Sequence, residues 1–133
     1  MKKLLFLLFL TLCAAPTRAQ SDLVQAAKRL SPTEAFDNIH VQKLHSDAQA
    51  SVFCIWIKEK VRPHKHAVHS ETVYVLQGKG TMRLGEKDYA VRKGDVIFIP
   101  QGTPHAVQVQ GGTMKVLSVQ APEFKGEDRI FLD

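Results

Sequence analysis

Three histidines and a glutamate lie within eight positions of the sequence, in the stretch HKHAVHSE at residues 64–71. Imidazole nitrogens and carboxylate oxygens are common protein ligands of divalent metal ions. His64 and His66 are two residues apart, so on a β-strand their side chains would share one face, about 6.5–7 Å apart along the chain. Two imidazoles at that separation can bind one ion. Two surface histidines on a polar strand face are the alternative for this pair.

Glu71 strengthens the metal hypothesis because it begins an apolar strand predicted from the segment ETVYVLQ. A carboxylate that points inward from such a strand is costly to bury unless a cation or hydrogen bonds compensate its charge. A metal ion would do so, whereas a solvated glutamate at the strand end is the alternative. Counting alternation from His66 puts His69 on the opposite face, so we interpret His69 as a turn or rim residue. His40 and His45, on the first predicted strand, are interpreted as structural or solvated.

A second segment that can contribute to the same site is GDVIFIPQGTPHAV, residues 94–107. An apolar strand ends at Pro100, Gly102 allows a tight reversal, and Pro104 restricts the backbone before the next residue. His105 therefore begins a new strand at a defined place. A lone histidine there would more often be structural, but here it is the fourth member of a set of candidate ligands.

The sequence from Asn38 onward predicts an all-β domain that would position these side chains. Short apolar or alternating segments are separated by turn signals, as in a sandwich or barrel of many short strands. The segment ASVFCIWIK is apolar on both faces, which predicts a strand covered on both sides. The pair Gly111-Gly112 predicts a β-hairpin. An apolar patch at residues 130–132 is expected to dock on the domain.

The segments before the strands predict a signal peptide and a short helix. A short apolar run follows two lysines, and small residues precede a cleavage position after Ala19. We therefore expect residues 1–19 to be removed and the mature protein to be periplasmic or secreted, with no membrane partner. A lipoprotein signal at Cys13 and a retained anchor are the minor alternatives. Apolar residues recur at helical spacing within residues 22–30, and Pro32 would end the helix.

Composition limits the remaining function classes. Without residues 1–19 the chain has 114 residues, which suits one compact domain. The formal net charge of +5 falls on cleavage, because three basic residues leave with the signal and 15 basic residues then stand against 13 acidic ones. No lysine or arginine stripe is present, so nucleic acid is not an expected partner. Cys54 is the remaining cysteine, and its apolar surroundings predict a buried small side chain.

The residues described above resemble two motifs of the cupin family. The first cupin motif is a glycine, five residues, His-x-His, three or four residues, a glutamate, six residues and a glycine. This chain matches it at His64, His66, Glu71 and Gly78. The second motif is a glycine, five residues, Pro-x-Gly, two residues, a histidine, three residues and an asparagine. This chain matches it at Gly94, Pro100, Gly102 and His105.

Two positions depart from the cupin pattern, and neither is a metal ligand in the family. Lys58 stands where the first motif begins with glycine, which implies a different turn before the motif. Val109 stands where the second motif ends with asparagine, which would make the barrel interior more apolar. The resemblance extends from about residue 39 to the end of the chain.

The resemblance implies a small antiparallel jelly-roll β-barrel over residues 38–133, preceded by a short N-terminal helix and lead-in at residues 20–37. It also implies that three histidines and one glutamate bind one divalent metal ion: His64, His66, Glu71 and His105. Manganese, iron, nickel, zinc, copper and cobalt are all compatible with this set. An ion bound there can polarise ligand oxygen atoms or lower the pKa of bound water.

Cupins have more than one kind of function, so three hypotheses stay open. The first is a metal-dependent enzyme that oxygenates, decarboxylates, isomerises or eliminates from a small organic molecule, with Glu71 as a candidate base and no other catalytic residue assigned. The second is a non-catalytic module that binds or senses a small molecule or metal. The third is a structural interaction domain, which the four candidate ligands make least favoured. Weak candidates for orienting an anionic substrate are His69, Tyr74 and Arg62.

The apolar run around Trp56 predicts a second buried surface beyond the barrel interior. A strand that is apolar on both faces needs a cover on each. The barrel interior would cover one face, and we expect a second copy of the chain to cover the other in a homodimer.

Overall fold

The structure is a computed structural model that describes residues 23–133. The predicted signal peptide at residues 1–19 and the alternative lipid anchor at Cys13 lie outside the described residues. Within the described part of the chain, no helix has the length and hydropathy needed to span a bilayer.

Residues 23–133 form ten β-strands in two antiparallel sheets. In chain order they are β1 Ile39–Ser46, β2 Ser51–Ile57, β3 Lys60–Lys65, β4 Ser70–Gln77, β5 Lys79–Leu84, β6 Lys87–Arg92, β7 Val96–Ile99, β8 His105–Val109, β9 Met114–Ala121 and β10 Ile130–Phe131. The strand order is β1-β2-β9-β4-β7 in the first sheet and β10-β3-β8-β5-β6 in the second. This architecture confirms the predicted all-β jelly-roll barrel.

Apolar side chains from both sheets meet inside the barrel. Strand β2 contributes Phe53, Ile55 and Ile57, and the facing sheet contributes residues such as Met82 and Val107. Successive side chains of a strand point to opposite faces, so alternate residues of β2 reach this core.

The outer face of β2 is also buried, as the apolar sequence of this strand predicts. Cys54 is fully buried and Trp56 is 5 % exposed. The ring centroids of Trp56 and His40 are 5.6 Å apart, and Lys115 Nζ lies 5.5 Å from the centre of the Trp56 ring. Burial raises the pKa of the Cys54 thiol, although Lys115 opposes this shift, so Cys54 has the character of a structural cysteine.

The predicted helix at residues 22–30 is wrong, since the described part of this segment forms one short 3-10 turn, Ala27–Arg29. Leu23 and Val24 are 70 % and 83 % exposed, so the segment buries no apolar face that could stabilise a helix. Instead, Lys115 Nζ donates hydrogen bonds to two carbonyl groups of the segment, at 2.6 and 2.8 Å. These bonds hold the segment across the outer face of the first sheet.

The predicted hairpin at Gly111-Gly112 is also wrong. These glycines connect β8 to β9, but β8 pairs with β3 and β5, whereas β9 pairs with β2 and β4 in the other sheet. Their φ angles of 67° and 101° turn the chain from one sheet to the other.

The C-terminal patch docks on the barrel, as predicted. Strand β10 pairs with β3 and places Phe131 opposite His64. The Leu132 N–H donates to the Pro63 carbonyl at 2.9 Å. The tail therefore reaches the strand that carries the first candidate ligand.

Candidate metal centre

The four candidate ligands come from two facing sheets. His64 and His105 lie on the neighbouring strands β3 and β8 and are partners in the β-ladder. His66 directly follows β3, and Glu71 lies near the start of β4 in the other sheet. All four are buried, with exposed fractions of 2–6 %. The fold therefore brings the four predicted residues together inside the barrel.

The three imidazoles form a compact group. Their candidate ligand atoms all lie within 4.8 Å of one another. The ring centroids of His64 and His105 are 4.1 Å apart, and the ring of His66 lies 5.3 and 5.4 Å from these two. Glu71 is not part of this group of three, but its Oε2 atom lies 3.5 Å from His66 Nε2 and 3.4 Å from His105 Nε2.

Main-chain carbonyl groups fix which nitrogen of each imidazole carries the proton. A carbonyl oxygen only accepts hydrogen bonds, so the ring nitrogen beside it must donate. The Nδ1 atoms donate to the carbonyl of Arg62 for His64 at 2.9 Å, of Asp128 for His66 at 2.7 Å, and of Thr103 for His105 at 2.9 Å. When the rings are neutral, each Nε2 atom keeps its lone pair, which is the form in which imidazole binds a metal.

The Nε2 atoms of His66 and His105 face Glu71 without making a hydrogen bond. Both atoms are buried, and neither has a hydrogen-bond partner among residues 23–133. A lone pair that faces a carboxylate oxygen at 3.4–3.5 Å is repelled unless a proton or a metal ion lies between the two atoms. Three imidazoles and one carboxylate are also a common donor set for divalent metals. The residues present therefore fit a metal ion.

Glu71 is held as a carboxylate inside the barrel. Its Oε1 atom accepts a hydrogen bond from Ser118 Oγ. Burial alone would raise the pKa of Glu71, but the neighbouring side chains of His105, His66 and Ser118 lower it below its usual range. This residue therefore brings a negative charge to the group of imidazoles.

The pKa values of two site histidines shift in opposite directions. Burial and the neighbouring His105 lower the pKa of His64 to about 4, so this ring is neutral at neutral pH. Burial alone would lower the pKa of His66, but Glu71 and the Asp128 carbonyl raise it. Because a metal ligand must be unprotonated, protons compete with an ion at His66 more strongly than at His64.

Both ring nitrogens of His69 are used in hydrogen bonds to the C-terminal tail. Its Nδ1 atom lies 2.5 Å from Asp128 Oδ2, and its Nε2 atom donates to the Glu123 carbonyl at 2.9 Å. Neither nitrogen is free to bind an ion. His69 lies in the turn between β3 and β4, as one of the two predicted alternatives has it, but at 5 % exposed it is buried and not a rim residue.

Asp128 joins the tail to the loop between the candidate ligands, and sequence reasoning does not find it. Its carboxylate accepts hydrogen bonds from the main-chain N–H groups of Ala67, Val68 and His69, at 2.8, 3.0 and 3.1 Å. Burial alone would raise the pKa of Asp128, but the bonds from His69 and these N–H groups lower it to about 2. The same residue orients the His66 ring through its carbonyl group.

The other candidate residues lie away from the candidate ligands. His40 packs against the rings of Phe36 and Trp56, which confirms its structural role. The Arg62 guanidinium lies 4.4 Å from the centre of the Phe131 ring. Tyr74 is 40 % exposed. Neither Arg62 nor Tyr74 lines the cavity beside the imidazoles.

A family model described as a cupin domain matches residues 51–120, which contain all four candidate ligands. The chain belongs to the cupin family. An uncharacterized protein of Aquifex aeolicus (strain VF5) is 33 % identical over 94 residues, which cover 71 % of this cupin and 78 % of the relative. Quercetin 2,3-dioxygenase of Bacillus subtilis (strain 168) is 28 % identical over 64 residues, which cover 48 % of this cupin and 19 % of the dioxygenase.

Solved structures share the fold of this cupin at low sequence identity. A Klebsiella pneumoniae protein with a double-stranded β-helix domain has a TM-score of 0.70 at 14 % identity, covering 83 % of this cupin and 96 % of that chain. A nucleoside dehydratase, Pac13 from Streptomyces, has a TM-score of 0.62 at 23 % identity, covering 75 % of this cupin and 87 % of that chain. At these identities the likeness concerns the fold alone.

The interior of this cupin contains a cavity of about 80 Å³ that His64, Glu71 and His105 help to line. This volume holds several water molecules or a small organic molecule. Its walls are formed mainly by isoleucine, valine and methionine side chains. The lining residues with polar or charged side chains are His64, Glu71, His105 and Arg129.

Both departures from the cupin motifs have a visible structural effect. Val109 is buried in the apolar core, so this barrel has a hydrocarbon side chain where the motif has an amide. The Lys58 N–H donates to the Asn38 carbonyl at 2.8 Å, and Lys58 Nζ donates to the Phe36 carbonyl. The turn before the first motif is therefore tied to the N-terminal lead-in.

Proposed function

We propose that this cupin is a metal-dependent enzyme that binds one divalent ion through His64, His66, Glu71 and His105. The observation that carries the proposal is the pair of buried Nε2 atoms facing the Glu71 carboxylate without a hydrogen bond. A metal ion would accept both lone pairs and neutralise the buried charge. Manganese, iron, nickel, zinc, copper and cobalt remain the candidate ions.

A bound ion would supply Lewis-acid chemistry, or redox chemistry if it is iron, manganese or copper. The chain contributes the surroundings of that ion. Three imidazoles are oriented by main-chain carbonyl groups before any ion binds. Glu71 is the one carboxylate among the cavity-lining residues of the described chain, and most of the other lining side chains are apolar. Glu71 is also the candidate base if it leaves the ion during a reaction.

The composition of the cavity favours oxygenation or decarboxylation of a small organic molecule. Isomerisation and elimination need a positioned acid and base. Apart from the candidate ligands, the described lining residues include no carboxylic acid, histidine, lysine or tyrosine. Oxygenation or decarboxylation at a bound metal ion needs fewer acidic and basic side chains. The similarity to a quercetin dioxygenase over part of its length supports an oxygenase type.

Oxygen uptake and carbon dioxide release test the enzyme proposal. The protein is loaded separately with iron(II), manganese(II) or nickel(II) and incubated in air with a panel of small organic acids and diols. We expect uptake of oxygen or release of carbon dioxide with at least one ion, and loss of turnover in Glu71→Gln. Tyr89→Phe, on the exposed side of β6, is a control that should keep turnover.

A non-catalytic binding or sensor module is the second candidate function. The same lack of an acid and base in the described cavity lining favours it. In this case a ligand would bind the metal-loaded protein with measurable heat but would be recovered unchanged. Ligand binding without oxygen uptake, carbon dioxide release or product would support the sensor role over the enzyme.

Export and self-association also belong to the proposal. We expect cleavage after Ala19 and function in the periplasm or outside the cell. We also expect a homodimer, although the chain's own N-terminal segment covers the surface at Trp56, so the original reason for a partner there does not hold. Exposed apolar side chains lie instead on β4 and the edge strand β7: Tyr74, Val96 and Phe98.

A further inference from the structure

Arg129 has a positively charged side chain at the barrel cavity, and this side chain has no part in the proposed metal site. It lines the same cavity as His64, Glu71 and His105. Its position is fixed on both sides along the chain. The preceding residue, Asp128, accepts hydrogen bonds from the N–H groups of residues 67 and 68, in the ligand loop between β3 and β4. The following residue, Ile130, pairs with Lys65 of β3.

The guanidinium group of Arg129 has no partner within residues 23–133. It makes no hydrogen bond, ion pair or ring contact with any of them. Two other arginines of the barrel differ in this respect. The Arg83 Nε atom donates to Asp88 Oδ1 at 2.8 Å, and the Arg62 guanidinium lies over the Phe131 ring. Arg129 is an exposed residue that also lines the cavity, so its guanidinium group is accessible to a molecule that binds there.

The positive charge of Arg129 lies on the cavity that three candidate metal ligands also line: His64, Glu71 and His105. An anionic group of a ligand bound in this cavity would be attracted both by this guanidinium and by the proposed ion.

The rest of the cavity is unsuited to ligands that are rich in hydroxyl groups. Its walls beyond the four polar lining residues are hydrocarbon, with side chains such as Ile55, Val75 and Met114. Sugar or nucleoside hydroxyl groups placed against these walls would lose their hydrogen bonds to water without finding partners. A hydrocarbon group would instead gain from leaving water.

We infer that Arg129 binds the carboxylate of a small organic acid whose hydrocarbon part lies inside the barrel. The planar guanidinium can hold a carboxylate with two parallel hydrogen bonds. The apolar walls of the cavity then favour acids whose remaining part is a hydrocarbon group. This inference rests on the proposed function, because the same acid would lie beside the proposed metal ion.

Calorimetric titration with one acid and its neutral isostere tests the inference. The probes are 3-methylbutanoate and 3-methylbutanamide, titrated into the full chain with and without bound metal. We expect the wild type to prefer the acid, and Arg129→Gln to weaken acid binding about 10- to 100-fold, the range expected when hydrogen bonds to a charged group are lost. Amide binding and metal content should stay unchanged. Arg129→Lys keeps the positive charge but cannot form the two parallel hydrogen bonds, so it should bind the acid with intermediate affinity.

Arg62→Gln is the matched control, since the Arg62 guanidinium lies over the Phe131 ring of the same tail but does not line the cavity, and it should not change acid binding. Equal acid affinity in the wild type and Arg129→Gln would overturn the inference, as would equal wild-type affinity for acid and amide. Failure of the proposed function would be visible separately as a wild-type chain that binds no metal. The effect of Arg129→Gln on acid binding is then still measured in the metal-free protein.

Discussion

Each candidate histidine is oriented by a main-chain carbonyl group before any ion binds. For His64 and His105 the acceptor is the carbonyl two residues earlier, at Arg62 and Thr103. For His66 it is the distant carbonyl of Asp128. Such outer-shell hydrogen bonds fix the ring orientation and the tautomer of a metal ligand. The fourth candidate, Glu71, is fixed by Ser118.

A comparison of Glu71→Gln with His69→Gln tests the ligand assignment at this scale. We expect Glu71→Gln to lower metal affinity by more than about 100-fold, which exceeds the roughly 10- to 100-fold typical of changes outside the ligand set. His69→Gln should have a much smaller effect, because both ring nitrogens of His69 already bind the tail. Competition with a fluorescent chelator measures both affinities. Equal losses in the two variants would contradict the ligand set.

The sequence predicts the four candidate ligands because their spacing is local within each motif. His64, His66 and Glu71 lie on one loop and its flanking strands, and His105 opens a strand after a proline-rich turn. Asp128 could not be predicted in this way, since the hydrogen bonds that it accepts come from residues 59 to 62 positions away. A single aspartate in a polar tail carries no local signal of such contacts.

At the scale of elements, the C-terminal tail acts as a brace for the ligand loop. Asp128 caps the main chain of the loop, Phe124 packs against the rings of His66 and His69, and β10 extends the second sheet beside β3. The tail therefore contributes both to the stability of the barrel and to the position of one candidate ligand.

Asp128→Asn should destabilise the metal-free protein at neutral pH by roughly 1–3 kcal/mol, because it weakens several hydrogen bonds to a charged group. An aspartate has a pKa of about 3.9 in an unfolded chain, and the folded protein lowers the pKa of Asp128 to about 2. The stabilisation is therefore fully present above about pH 4 and is lost as the pH falls towards 2. Urea unfolding of the wild type and variant at pH 7 and pH 3 measures the difference.

Asp88→Asn is the control for this experiment. Asp88 forms an exposed ion pair with Arg83, and exposed pairs contribute little to stability. The idea of a brace would fail if both variants lost the same stability, or if the effect of Asp128→Asn did not shrink at low pH.

Two elements differ from their sequence-based predictions for physical reasons. Helical spacing at residues 22–30 does not produce a helix, because Leu23 and Val24 stay exposed. Instead, the Lys115 side chain donates hydrogen bonds to two carbonyl groups of this segment. The Gly111-Gly112 turn does not form a hairpin, because β8 and β9 find partners in opposite sheets. In both cases distant contacts decide the outcome, and a local pattern carries no information about them.

In the described part of the molecule, one outer surface of the barrel brings three exposed apolar side chains together. Val96 and Phe98 on the edge strand β7 are 66 % and 60 % exposed, and Tyr74 lies beside them on β4. The homodimer that we propose would bury this surface.

Phe98→Glu should convert the proposed dimer to a monomer, because the new charge would have to be buried in the contact. Tyr89→Glu, at a 46 % exposed position in the other sheet, is the control and should leave the dimer intact. Light scattering at micromolar concentration gives the mass of each protein. A monomeric wild type, or a dimer that persists in Phe98→Glu, would argue against this interface.

The most direct test of the metal site is the metal content of the protein purified from its own compartment without chelators or a histidine tag. Elemental analysis should find about one divalent ion per wild-type chain and a large loss in His105→Ala, while His40→Ala, outside the cavity, should keep its ion. The absence of stoichiometric metal from the wild type, or full metal content in His105→Ala, would contradict the proposed centre.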